Sequence, residues 1–321
     1  MNCLMRLGKN LKFFYNFSMR CYSVSSNEIE RQNEYFDSEK SRQHNDIGRI
    51  EKIEVHYEGH LESRKFLMNK GLSTPYNVAK HISEWLTKES ALALINEDSA
   101  WDMHRPLEDF CTLKFLRFSD EDPFFVNKAF WKFCSFLLGA TVHNAFLDHV
   151  NVVLHSFPSP QITSGSFVYD VSLSLDSWKP SPSELRVLSA DMVKLASQEI
   201  PLERLQVHED IAKAIFRNNK FKLAQIPNIA SGSGGQITLY RMGKHIDISK
   251  GPLIANSSLV GRCSVTAVHH IESDDGPLYR FQGVALPKGI MLNHFAYKIL
   301  EDRASKLNRS AFSDQKVVEV A

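Results

Sequence analysis

The spacing of apolar and polar positions divides the chain into strands and helices. Ile53, Val55 and Tyr57 alternate with Glu54 and His56, the period-two pattern of a half-buried strand, and Glu58-Gly59 turns it. Thr74-Pro75 opens a helix, with Thr as N-cap and Pro at the first helical position, where its missing N–H costs nothing. Val78, Ala79, Ile82 and Trp85 then share one face of that helix. Residues 91–95 predict an apolar strand, Asn96-Glu97-Asp98 a turn, and 101–103 the next strand. Cys111, Leu113 and Phe115 alternate in a last strand of this group. After Asp120-Glu121-Asp122-Pro123, a helical stripe of Phe130, Cys134, Leu137 and Leu138 runs to Gly139-Ala140. Residues 133–142 are the most apolar stretch; they predict a buried helix, short of the ~20 residues a membrane span needs.

Further along, Leu185, Leu188, Met192 and Leu195 mark an amphipathic helix behind Ser181-Pro182. Ser231-Gly232-Ser233-Gly234-Gly235 precedes a strand at 237–240 rather than opening a helix, so it predicts a hairpin loop, not a phosphate cradle. Ile246 and Ile248 form a short strand that Gly251-Pro252 breaks. A polar bend at Asn256-Ser257-Ser258 and a second strand come next, and Leu292, Phe295, Ala296 and Ile299 lead an amphipathic helix to Leu307.

Composition adds a class and a compartment. The 321 residues suggest two domains at about 100–200 residues each. With 43% hydrophobic and 23% charged residues, the balance is that of an ordinary globular protein. The net charge of +1 hides an asymmetry, because Arg6, Lys9, Lys12 and Arg20 precede the first acid, Glu28. Residues 1–22, with Leu4, Leu7, Leu11 and Phe14 on one helical face, have the composition of a mitochondrial transit peptide ending at Arg20-Cys21-Tyr22. Without it the chain carries 34 bases against 37 acids, a net charge of −3, which argues against deep immersion in nucleic acid. Residues 23–47 are polar with few apolar anchors and read as a linker. Cys3, Cys21, Cys111, Cys134 and Cys263 show no metal or disulfide spacing, so a reduced compartment is inferred.

Several motifs carry a family resemblance. Asp247, Gly251, Pro252 and Asn256 match a segment of threonyl-tRNA synthetases that reads Asp-Leu-Cys-x-Gly-Pro-His, then Asn-Thr-Gly, at the floor of their editing domain. Asn96, Trp101, Asp102, Arg105, Pro106, Leu107 and Glu108 resemble a motif of the small ubiquitin-like module, the TGS domain, that opens those enzymes. Phe167-Val168-Tyr169-Asp170-Val171, Ile200-Pro201-Leu202-Glu203-Arg204, Phe221-Lys222-Leu223 and 279–287 extend the likeness over roughly residues 50–310. It implies an α+β chain: a β-grasp, TGS-like domain over 48–120, then an α/β editing-like domain of the threonyl/alanyl-tRNA synthetase type over 123–287. A linker helix and tail over 288–321 end where the synthetases' class II core would begin.

The resemblance also implies where chemistry is gone. The family's His-x-x-x-His, which stacks two imidazoles on one helix face, falls on Lys132 and Phe136, and its Cys and His fall on Ser249 and Leu253. Phe and Leu have no lone pair, a protonated Lys cannot ligate zinc, and Ser is a poor ligand beside a thiolate. The expectation is therefore no catalytic residue, no metal and no cofactor. Among other candidates, His143 and His149 stand six apart and would not converge on a helix, and His269 and His270 face opposite sides of a strand. His245 beside Asp247 is the best remaining base. A leader, two synthetase-like domains and lost chemistry together resemble the ribosomal proteins of the mitochondrial large subunit. That likeness implies a structural, non-catalytic part in the mitochondrial matrix, contacting large-subunit rRNA and neighbouring ribosomal proteins. The alternatives are a free-standing tRNA-binding or synthetase-associated regulator, and a trans-editing aminoacyl-tRNA deacylase.

Overall fold

The computed structural model describes residues 24–59, 62–159, 161–175 and 177–310. The predicted leader and the end of the carboxy-terminal tail lie outside the described residues. In chain order the elements are α1 (Val24–Asn45), β1 (Lys52–Glu58), β2 (Ser63–Asn69), α2 (Pro75–Ile82), α3 (Glu84–Glu89), β3 (Leu92–Ile95), β4 (Ser99–Trp101) and β5 (Cys111–Leu116). Then come α4 (Phe124–Ala145), β6 (Val152–Ser156), β7 (Phe167–Leu173), α5 (Pro182–Ala196), β8 (Leu202–His208), α6 (Glu209–Ile215) and α7 (Lys220–Ser231). The last are β9 (Gln236–Met242), β10 (His245–Ile248), β11 (Val260–Ser273), β12 (Gly276–Pro287) and α8 (His294–Ala304). The architecture is mixed α+β with three sheets among the described residues, ordered β2-β1-β5-β3-β4, β11-β12-β7-β6 and β10-β9-β8.

Local chemistry explains most elements. In β1 the alternation holds, with Ile53, Val55 and Tyr57 buried, and the strand pairs antiparallel with β2 and parallel with β5. Thr74 caps α2 in a capping box with Asn77, and Ser181 caps α5 in one with Glu184. The helix expected through Trp85 breaks at Ser83, whose extended backbone ends α2 while its side chain caps α3. The break turns Leu86 inward and leaves Trp85 55% exposed. Helix α4 is buried along most of its length and touches both β7 and the His245 ring of β10. It comes close to β7 at Gly139, where a Cβ would stand 2.4 Å from the Tyr169 ring.

Three expectations need correction. The 23–47 linker is instead the 22-residue helix α1. It has no apolar stripe because one fully buried aromatic, Phe36, anchors it among Leu205, Ile215, Ile237, Leu239 and Ile246. Polar contacts do the rest: Arg31 donates to the Ala214 and Ile215 carbonyls at 2.7 and 3.0 Å, and Arg241 stacks 4.3 Å over the Phe36 ring. The 231–235 loop joins α7 to β9 and is no hairpin; Pro227 inside α7 disguised that helix. Finally, α8 buries Tyr297 and Ala304, while Phe295 and Ile299 on the expected inward face are 86% and 68% exposed.

Candidate functional site

Strand β10 and the loop after it build the floor of the cleft. Because strand neighbours face opposite ways, His245 and Asp247 point toward α4, while Ile246 enters the core beneath α1. At Gly251 the backbone takes φ +68°, and a Cβ there would lie 2.0 Å from the Tyr240 Oη. Glycine is thus required by both the left-handed backbone and the close hydroxyl. Tyr240 donates to the Asp102 carboxylate, 2.9 Å from each oxygen, and the Leu253 amide donates to the same group at 2.9 Å. Asp102 follows β4, so this contact fastens the first sheet's unit to the cleft loop. Burial raises the Asp102 carboxyl above its ordinary value, against the opposing pull of the Leu253 amide and Arg204.

Lys132, Phe136, Ser249 and Leu253 lie around this loop and the facing turns of α4. Lys132 is half-buried and donates from Nζ to the Gly251 carbonyl. Burial lowers its pKa, and the nearby charges of Lys128 and Lys250 push the same way. Phe136 is fully buried with its ring edge-on to His245 at 4.9 Å between centroids. Leu253 is also fully buried, and the Ser249 Oγ accepts from the Gly251 amide at 3.3 Å. Each of the four is engaged in packing or in holding the loop. No three His, Cys, Asp or Glu side chains come together to hold a metal among the described residues.

Beside them a polar cluster survives. Asp247 accepts from the Lys222 ammonium, the Tyr169 hydroxyl and, at 2.7 Å, the Ile248 amide. The Lys222 and Asp247 side chains are only 3% and 0% exposed. Asn219 fixes the start of α7 by capping Phe221 and Lys222, and itself donates to the Leu154 carbonyl at 2.8 Å. Burial and the adjacent Asp247 hold the Tyr169 phenol well above its ordinary pKa. The cluster opens on a cavity of about 590 Å³ lined by His143, His245, Lys222 and Asp247, with Ile29 and Gln32 of α1 at its edge.

Sequence spacing compared the wrong histidines. His143 meets His245, not His149, with ring centroids 6.1 Å apart. His245 Nε2 is buried without a hydrogen-bond partner among the described residues, and burial drives its pKa down to about 3. Such an imidazole is neutral and weakly basic at physiological pH, so the best base candidate has little proton affinity. His269 and His270 do face opposite ways, each donating from Nε2 to a carbonyl at 3.0 Å, that of Ser305 and that of Trp178 respectively. The Lys222–Asp247 pair and the Asp102–Tyr240 contact escaped the motifs because their partners lie far apart in sequence.

Comparison with known proteins gives a consistent picture. The chain is 47% identical over 307 residues to the large ribosomal subunit protein mL39 of Drosophila melanogaster, covering 94% of this chain and 92% of that protein. It is 29% identical over 224 residues to the probable cytoplasmic threonine–tRNA ligase 1 of Dictyostelium discoideum, and 28% identical over 252 residues to the human cytoplasmic threonine–tRNA ligase 1. These matches take in 68% and 76% of this chain but only 29% and 32% of the ligases. No protein-family model matches. The ligase-like motifs in the sequence are thus accompanied by a partial similarity to real ligases.

Proposed function

The chain belongs to the family of the large ribosomal subunit protein mL39, and we propose that it is a structural component of the mitochondrial large ribosomal subunit. It is not an enzyme. The observation that carries this reading is the 47% identity over 94% of the chain. The acid-free basic residues 1–22 support a mitochondrial destination, and the matrix-facing ribosome is the place where such a part would serve. Its partners are large-subunit rRNA and neighbouring ribosomal proteins. Among the described residues no helix is long and apolar enough to cross a membrane.

The cleft is read as a degenerate editing site with no catalytic, cofactor or metal residue at Lys132, Phe136, Ser249 and Leu253. Full burial of Phe136 and Leu253 supports this, since both fill space that ligands and a water would need. The five-stranded sheet, with β1 and β5 parallel at its centre and α2 following the β1–β2 hairpin, supports a β-grasp unit of TGS type over 48–120. The remaining sheets and α4 support the editing-like unit over 123–287. Exposed Met291, Phe295 and Ile299 near α8 suit burial against a protein neighbour.

Sucrose-gradient sedimentation of mitochondrial lysate tests the proposal. The chain should travel with the large subunit and stay there through a moderate salt wash. Recovery only at the top of a low-salt gradient overturns the ribosomal reading and favours a free regulator.

A further inference from the structure

We propose that the start of α4, together with Lys250, is the docking surface for a single-stranded stretch of RNA, with phosphates on Lys128 and Lys250 and a base on Phe124. The inference rests on the ribosomal reading and names the face that meets RNA.

Phe124, Lys128 and Lys132 follow each other at four-residue spacing, so they form one line along the helix. Lys132 reaches the Gly251 carbonyl, which brings the neighbouring Lys250 to the end of that line. At the other end the Lys128 ammonium lies 5.9 Å from the Phe124 ring centroid, and Phe125 meets Phe124 edge-on at 5.6 Å. Both rings are large and apolar, yet 55% and 40% exposed. The result is a short track with aromatic rings at one end and cations along the rest.

Charge selects the partner. Lys128 and Lys250 are exposed and form no ion pair among the described residues, and both lower the pKa of Lys132 by repulsion. Lys132 itself feels Asp102 and is held by the loop, so it orders the track rather than offering a free ammonium. Acids lie beyond the aromatic end: Asp120 is paired with Arg117 at 3.0 Å, Asp122 caps the Phe124 amide at 3.1 Å, and Glu121 is exposed. A phosphate chain would therefore run from Lys250 to Lys128 and stop short of the acids. Its last base would then lie over Phe124. Cations tracking a backbone beside a stacking ring are the means by which proteins hold single strands without reading sequence.

The test uses the purified full chain and a fluorescent oligouridine over a potassium chloride series. Binding should weaken with salt, and Lys128→Glu with Lys250→Glu should flatten the log–log slope by about 1.4, at roughly 0.7 per phosphate contact. Phe124→Ala should weaken binding by about tenfold, the loss of one stacked base. All three side chains are exposed, and unchanged circular dichroism melts will show that the variants fold. An unchanged slope, or wild-type affinity in Phe124→Ala, overturns the proposal. Ultraviolet crosslinking of gradient-purified large subunits supplies the second arm, in which RNA should crosslink to the 124–132 peptide. If the chain sediments with the subunit but this peptide crosslinks only to protein, the surface assignment fails and the ribosomal reading stands. If the chain is absent from the subunit, the ribosomal reading itself fails.

Discussion

Replacing Lys222 by Met removes the only ammonium paired with Asp247 among the described residues and leaves that carboxylate out of water. Breaking a buried ion pair from one side costs about 3–5 kcal/mol, because the remaining charge is uncompensated. Asp247 would keep the Tyr169 hydroxyl and the Ile248 amide, so the low end, about 3 kcal/mol, applies to Lys222→Met. Asp247→Asn leaves the buried ammonium a neutral amide oxygen and the Tyr169 hydroxyl, at 3.5 Å, but no counter-charge, and should cost at least as much. The double replacement should lose clearly less than the sum of the two, since neither charge then remains. Urea unfolding at neutral pH, followed by tryptophan fluorescence, to which the buried Trp178 contributes, measures all three. A loss under about 1 kcal/mol for Lys222→Met with an unchanged denaturant slope would refute the reasoning. So would hydrolysis of mischarged tRNA by the wild type that Lys222→Met abolishes, since the pair would then be working chemistry.

Acid should destabilise the fold through its buried histidines. The unfolded chain binds a proton near 6.5, while folded His245 waits until about 3, so this stability is present above pH 6.5 and is lost as pH falls toward 3. His143 and His104, lowered by burial, act in the same direction, and raised Asp102 opposes them; denaturation curves at pH 7.5 and 5.5 should differ, and less so in His245→Phe. Gly251→Ala places a methyl group 2.0 Å from the Tyr240 Oη at φ +68° and should cost about 2–3 kcal/mol by melting, more than Tyr240→Phe. Phe136→His should retain no stoichiometric zinc by mass spectrometry, because one ligand does not make a site, and should lower stability by burying an unpaired polar ring. Phe36→Ala should cost about 3–5 kcal/mol in the α1 contact and expose the 24–45 segment to limited proteolysis.

What the sequence made legible follows from how local each signal is. Alternation in β1 and β5 and the caps at Thr74 and Ser181 depend on neighbours within a few residues, and these elements form where expected. Helix α1 was hidden because its docking depends on Phe36 and on Arg31 reaching two backbone carbonyls some 180 residues away. In α8 the apolar pattern was read correctly, but what lies on that face in this chain is solvent rather than core. Lys132, Phe136, Ser249 and Leu253 were singled out by motif likeness, whereas the pairings at Asp102 and Asp247 join residues from separate sheets and helices.

The same geometry explains why a single ligand-bearing substitution would not create a metal site in the cleft. Phe136 is wedged edge-on to His245, and the amide of Leu253 is fixed by Asp102, so each sits in contacts that a ligand would have to abandon. Lys132 is a strut to the Gly251 carbonyl, in the loop where Ser249 accepts from the Gly251 amide. Tyr240 holds that loop to Asp102 beside the first sheet, so the floor of the cleft joins the two. Buried groups with complete partners resist substitution because each change strands another polar atom. A cleft packed this way gains rigidity from Lys132, Phe136, Ser249 and Leu253, which is what a fixed part of a large assembly requires.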